Sequence, residues 1–478
     1  MSNKFPYLFT SLFFLFFINS FSQVGIGTTT PNASSILDIE STTQGILAPR
    51  MTTAQRIAIA SPAEGLLVFD INESVFYFYD GGSWLPLEGT ASRDNYKLIK
   101  SDADLATELA NGSGTEYLLD TNTLYEINGT INLAVPINLN NAYLFGEDTN
   151  EDILVGAGTI FSGTSGGSIR GVTLVAPVGN VFNLIGTGAE RLVFRDSVVA
   201  NSSSVGSISD FNLVFVSIVQ FINNANGIIY TDINQLLLNS MGWDSTNGGV
   251  YETFVGDFDV ITKQGGFCNV TTATAAVDVT GVGTISGGAA MRIVDFYGGG
   301  NYINGSSPYT GYNFTNDWDV DCPGIEVETD GVATGDINLN YAIGFGALTT
   351  FSGTGTGSRI KLNGDTASNN LFRFTVPGAP TYNRLVYDGK KTRYFNISTS
   401  LSFRGSSNNN IFVFYLAKNG VVIDQTRVYR EIGGNNDIGA VPIVASLLMA
   451  PGDYIEVWAE RYSGGGNLLT ISLNLTAQ

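Results

Sequence analysis

The sequence predicts an all-β protein: a parallel β-helix over residues 96–336, an antiparallel sandwich over 337–478, and a small module ahead of both. Three observations predict it. Only 14% of the residues are charged while 44% are apolar, and 57 glycines stand beside 30 Phe and 21 Tyr, a composition that is neither disordered nor helical. Val, Ile, Thr, Phe, Asn and Gly fill short alternating runs, where helices would need Ala, Leu, Glu, Lys and Arg at a 3.6 period. From Ser168 onward the strand-like segments 168–175, 191–195, 211–216 and 233–238 restart about every 20 to 23 residues, the step of one solenoid coil.

Each element follows from local residue chemistry. Lys4, the apolar run Tyr7 to Ile18, and small residues at Ser20 and Ser22 read as a signal peptide over 1–22, cleaved after Ser22 to leave Gln23 first. No Cys follows the apolar run and no later stretch is long and apolar enough to span a bilayer, so the expected location is secreted or at the cell surface. In the module over 23–90, Pro49 and Pro62 break the chain. Residues 52–60 offer a short helix capped by Thr52 or Thr53, and Gly65 to Phe69 pairs with Val75 to Tyr79 as a hairpin. Asp104 to Leu109 has helical composition and would cap the open end of the coil stack. Asn128-Gly129 and Asn226-Gly227 could be hairpin turns of a sandwich, but sandwich strands restart every 8 to 12 residues or so, and the longer step favours the solenoid. In the last domain, strands are expected at 370–376, 394–403, 410–418, 421–429, 454–459 and 468–475, with Asn419-Gly420 as the strongest hairpin signal in the chain.

Charge excludes several functions. Histidine is absent, which removes Ser-His-Asp triads, Cys-His pairs and the usual zinc sites. A formal charge of −20 repels phosphate backbones and anionic bilayers, so no nucleic acid or membrane partner is expected. The charge is uneven: Asp102 to Ser358 holds 27 acidic and five basic residues (Arg170, Arg191, Arg195, Lys263, Arg292), a net −22, while Arg359 to Gln478 holds 12 basic and eight acidic.

The carboxylates carry the candidate chemistry. Asp317, Asp319 and Asp321 alternate along one strand and share a face, with Trp318, Val320 and Cys322 on the other, same-face neighbours being about 7 Å apart. Such a row could hold Ca²⁺ with help from Glu326, Glu328 and Asp330. It also fits the acid and base of an inverting glycosidase, and a solvated acidic strand gives the same pattern. Trp243, Asp244, Glu252, Asp257 and Asp259 could line a sugar groove, or be surface acids beside one core Trp. Cys268 and Cys322 could form one disulfide or remain two buried thiols. Lyase chemistry is disfavoured because the acidic segment has so few bases, with Arg191 and Arg195 pointing the same way. Glycine runs such as Phe296 to Asn301 lack the Lys-Ser/Thr of a phosphate loop and read as turns.

Three stretches resemble known families. Val24 to Asp38 (Val-Gly-Ile-Gly-Thr-Thr-Thr-Pro-Asn-Ala-Ser-Ser-Ile-Leu-Asp), Gly45 to Arg56 (Gly-Ile-Leu-Ala-Pro-Arg-Met-Thr-Thr-Ala-Gln-Arg), Pro62 to Asp70 and Tyr79-Asp-Gly-Gly-Ser-Trp84 resemble the leader module of secreted Bacteroidota surface proteins and segments of phage tail fibres. That resemblance implies an oligomeric fibre or attachment module. The cap followed by Leu124-Tyr-Glu-Ile-Asn-Gly-Thr-Ile131 resembles right-handed β-helices of the pectate-lyase-like and phage-tailspike kind, which often act on polysaccharides. Arg384 to Gly389, Phe395 to Ser402, Tyr415 to Gly420 and Met449 to Trp458 resemble the jelly roll of the complement and tumour-necrosis-factor superfamily. That resemblance implies a homotrimer binding its ligand through exposed loops, here Gly405 to Asn409, Arg430 to Asp437 and Ser463 to Asn467. The expected function is a non-catalytic surface fibre or adhesin whose jelly-roll tip binds a glycan or cell-surface ligand. The alternative is a β-helix polysaccharide hydrolase or lyase, a depolymerase working through Asp317, Asp319 and Asp321, with the jelly roll for trimerisation or carbohydrate binding.

Overall fold

A computed structural model of the chain describes residues 23–87, 94–272, 274–378 and 383–478; the expected signal peptide lies outside them. The fold class is the expected one. Two compact units form, one ending at Asp94 and one spanning Asn95–Gln478. No helix among the described residues is long and apolar enough to cross a membrane.

In the first unit Thr52 caps the helix Thr53–Ile57 with a reciprocal Gln55 capping box. The hairpin Leu67–Asp70 with Val75–Tyr79 pairs antiparallel, inside a four-stranded sheet that also includes Arg50–Met51 and Trp84–Pro86. Its interior is polar. Arg56 Nε donates to Asp70 at 2.9 Å, Thr53 Oγ1 donates to the same carboxylate, and the Arg56 guanidinium lies 3.6 Å from the Tyr77 ring centroid. Val68 is the one large apolar side chain fully buried among the described residues of this unit.

After the first strand of the second unit, Tyr96–Ile99, come a 3₁₀ turn, Asp102–Leu105, and a helix, Ala106–Asn111, where a cap was expected. Glu108 is buried there, accepting from Lys97 at 2.6 Å and from the Tyr125 hydroxyl at 3.0 Å. Above it the strands pair parallel, coil upon coil. One inward column runs Lys97, Tyr125, Leu144, Ile169, Phe194, Val216, Leu238, Lys263, Met291, Val320. The step is 22 residues from Phe194 to Val216 and again to Leu238, and longer afterwards. Asn128-Gly129 and Asn226-Gly227 are not hairpins: the strands after them, Thr130–Leu133 and Ile228–Thr231, pair parallel with neighbouring coils.

Lys263 is a charge in an apolar column, and its answer is Glu252. The two meet at 2.7 Å with side chains essentially unexposed, and the Trp243 indole N–H donates to the same carboxylate oxygen at 2.7 Å. Burial alone would lower the Lys263 pKa, but the Glu252 carboxylate together with the nearby Cys268 and Cys322 more than offsets this and holds it above the ordinary lysine value. Trp243 is wedged between Phe221, 3.9 Å between ring centroids, and Tyr251, 5.0 Å. Trp243 and Glu252 therefore face the interior and line no sugar groove. The two cysteines are free and buried. Cys268 pairs with Phe296 on the next coil, and Cys322 follows the strand paired one coil further on. They are thus two ladder steps apart, about 10 Å, beyond the span of a disulfide. Burial pushes the Cys268 thiol up to about 12.

The coils turn a corner at Gly171, Asp196, Ile218, Ser240, Gly265 and Ile293, which share the left-handed conformation with φ of 71, 52, 55, 52, 66 and 55°. Glycine recurs where coils approach most closely: a Cβ on Gly206 would sit 1.9 Å from the Phe182 carbonyl oxygen, at φ +106°.

The sandwich begins at Gly335, two residues before the expected boundary. One sheet orders Gly335–Asn340, Leu468–Ala477, Arg393–Gly405 and Gly439–Met449, with Ala347–Thr349 beside the second strand. The other orders Phe374–Thr375, Leu385–Tyr387, Tyr454–Ser463, Asn410–Lys418 and Val421–Val422, flanked by Ile360–Lys361 and Val428–Ile432. All pair antiparallel, and Phe374, Phe395, Phe403, Phe412, Phe414 and Leu473 fill one core between them. Asn419-Gly420 makes the expected turn with both residues at positive φ, but the return strand breaks at the 3₁₀ turn Asp424–Thr426.

Gly206→Ala should destabilise the coil stack by about 3 kcal/mol or more, because the ladder must open to admit a methyl group. Gly158→Ala, where a Cβ meets no atom within 4 Å, should leave the midpoint of denaturant unfolding unchanged.

Candidate functional site

Trp318–Asp321 is the last strand of the solenoid, and it alternates as expected. Trp318, Val320 and Cys322 are buried, while Asp317 and Asp321 are exposed and Asp319 is half-buried. Asp319 lies 3.6 Å from Arg373 and 3.9 Å from Lys391, and the backbone carbonyl of Asp317 accepts from the Lys390 ammonium at 2.6 Å. Among the described residues no group of three His, Cys, Asp or Glu side chains is gathered as a metal site.

What the strand does is join the solenoid to the sandwich. Arg373, 1% exposed and left-handed at φ 54°, reaches from the sandwich into the last coil. Its guanidinium donates to Asp330, to the Trp318 carbonyl and, at 3.1 Å, to the Glu328 carbonyl. Asp330 also accepts the backbone N–H groups of Lys390, at 3.0 Å, and Lys391, at 2.7 Å. Burial alone would raise the Asp330 carboxyl, but the Arg373 guanidinium and these N–H groups more than offset it and hold its pKa below the ordinary value. Glu328, also buried, accepts the N–H groups of Asn313 and Phe314 at 2.7 and 2.9 Å. Around this node Tyr312 stacks on Phe372, 4.0 Å between ring centroids, and Tyr309 and Asn316 both donate to Asp388.

At the sandwich, the three expected ligand loops come together at one end. Ser406 N–H donates to the Asn467 carbonyl and Asn409 N–H to the Gly433 carbonyl, Asn435 N–H donates to the Asn408 side chain at 2.9 Å, and Gly466 N–H to Asn410 Oδ1 at 2.9 Å. Arg404 ties the cluster by donating to the Asn435 carbonyl. Beside it stand two aromatic rings that sequence reasoning missed, Tyr429 and Tyr462, each 52% exposed with ring centroids 5.6 Å apart, edge to face. They lie 33 residues apart in sequence and meet because Val428–Ile432 and Tyr454–Ser463 both flank Asn410–Lys418. Polar loops beside exposed aromatic faces form a surface suited to a ring-bearing, hydroxyl-rich ligand.

The third candidate surface is apolar. In the first unit Ile36, Ile46, Leu47 and Ile57 are between 66 and 82% exposed, while the interior is an Arg–Asp pair. A piece of this size that spends its aliphatic side chains on its exterior is built to be covered.

Residues 25–102 match the family described as phage tail like trimerisation region. No curated protein matches the chain. Among solved structures, the tailspike protein of Acinetobacter phage vB_ApiP_P1 is 9% identical, covering 89% of this chain and 100% of its own, with a TM-score of 0.25. The enzymatically active domain of tailspike protein 4 of bacteriophage CBA120 is 9% identical, covering 90% of this chain and 77% of its own, at 0.19. Eiger TNF from S. frugiperda is 10% identical over 30% of this chain and 91% of its own, at 0.20.

Asp330→Asn should cost about 3–5 kcal/mol by leaving the Arg373 charge buried without its carboxylate, whereas Asp317→Asn and Asp321→Asn should stay within about 0.5 kcal/mol. Because the Asp330 pKa is depressed in the fold, the pair's contribution is complete above the unfolded carboxylate pKa of about 3.9 and is lost as pH falls through the lower folded value. Thermal melts between neutral pH and pH 2 or so read both effects.

Proposed function

We propose that the chain is a secreted, homotrimeric surface fibre that binds a glycan or another cell-surface ligand through its sandwich loops and performs no chemistry on it. The observation that carries the reading is the first unit, whose exposed aliphatic side chains coincide with the match to a trimerisation region. The ligand assignment is supported by the loop cluster and by the exposed Tyr429 and Tyr462 rings beside it. The solenoid is disfavoured as a polyanion-binding surface because the segment Asp102 to Ser358, at −22, repels polyanions over a Debye length of about 8 Å. Against catalysis stand the absence of histidine and the commitment of Asp319 and Asp330 to Arg373.

A glycan array combined with a reducing-sugar assay tests this reading. The expected result is binding without product release, with affinity reduced about tenfold or more in Tyr429→Ala or Tyr462→Ala and an unchanged melting temperature. Product release that disappears in Asp317→Asn or Asp319→Asn would establish a depolymerase instead.

A further inference from the structure

The corner shared by successive coils is occupied by residues suited to the left-handed conformation, Gly171, Asp196, Ser240 and Gly265, and by two that are not, Ile218 and Ile293, both at φ 55°. A β-branched residue is sterically disfavoured there. Both isoleucines are also exposed, at 55 and 68%, so neither backbone preference nor burial within the chain accounts for them. The strand face that follows the corner continues the pattern. Ile222 and Tyr297 are 43 and 46% exposed, and half-buried Phe267 lies over Gly242, where an added Cβ would come 2.8 Å from the Phe267 ring. Aliphatic and aromatic groups thus run along one face of a segment that is otherwise acidic.

We propose that this face, Ile218, Ile222, Phe267, Ile293 and Tyr297, packs against a second copy of the chain. The inference rests on the trimeric reading above, because the match to a trimerisation region is what makes the neighbour another copy. Charge favours the same occupant. Two bodies at −22 can approach only where little net charge separates them. On this strip Asp196, Asp244 and Asp295 are offset by Arg195 and Arg292, two of the five basic residues between Asp102 and Ser358.

Hydroxyl-radical footprinting of the full mature chain, together with its solution mass, tests the proposal. Tyr143 is 52% exposed, close to the 46% of Tyr297, so in a free face the two should oxidise at similar rates. The expected result is a three-chain mass with Tyr297 oxidised several-fold more slowly than Tyr143. A three-chain mass with Tyr297 oxidised at the Tyr143 rate overturns this face and leaves the assembly standing; a single-chain mass overturns the assembly itself. Ile218→Asn with Ile293→Asn gives an independent sign. Asn tolerates the left-handed region, so the pair should raise the melting temperature if the corner is free and lower it if the corner is packed, as proposed.

Discussion

Every inward side chain of the solenoid rests on the one a single coil below it, about 4.8 Å away, and the rest of the second unit depends on that stacking. It explains why the inward column is Tyr, Leu, Ile, Phe, Val, Leu in succession, and why Phe221 and Trp243 lie face to face. It also explains why a charge at Lys263 requires Glu252 at 2.7 Å: a position in the column cannot be turned out to water without breaking the ladder. The pair need not add stability, since buried ion pairs can be matched by apolar residues of similar volume. Its effect is to tie two stretches of a single coil together across the interior, since both residues lie on the strand run Val250–Asn269.

A stack of parallel coils has two open ends, each a row of unpaired backbone groups. The first end is covered by Asp102–Leu105 and Ala106–Asn111, pinned through Glu108. The last is covered by the sandwich, pinned through Arg373, Asp330 and the carbonyls of Trp318 and Glu328. The acidic strand at that end serves the join: Asp319 contributes to the electrostatics around Arg373, and Asp317 holds Lys390 through its backbone. The first unit follows the opposite logic. It has almost no apolar interior, and its order depends on Arg56 and Asp70, leaving its aliphatic side chains to be covered from outside.

Much of this was legible in the sequence. The 22-residue step, the cap near Asp104, the hairpin at Val75–Tyr79, the alternation around Trp318 and the turn at Asn419-Gly420 each follow from side-chain patterns that local physics enforces. Other features left no such trace. Arg373 looks like one basic residue in a strand, and only the fold brings it under the last coil. The corner column mixes Gly, Asp, Ile and Ser, so no residue type announces it. Glu252 could be read as a surface acid because its partner Lys263, 11 residues on, meets it only across the interior of the coil. The option of a Cys268–Cys322 disulfide stood open because spacing along the sequence does not count coils. Tyr429 and Tyr462 were invisible as a pair for the same reason: sheet pairing, not proximity in sequence, brings them together.

The central claim is that the first unit's exposed aliphatic surface is covered by other copies of the chain. Light scattering on residues 23–478 at micromolar concentration, beside a variant carrying Ile36→Asp, Ile46→Asp and Leu47→Asp, tests it most directly. The account predicts close to three times the chain mass for the native sequence and a fall toward a single chain for the variant. A native chain that runs as a monomer, or a variant that assembles as well as the native chain, would contradict it.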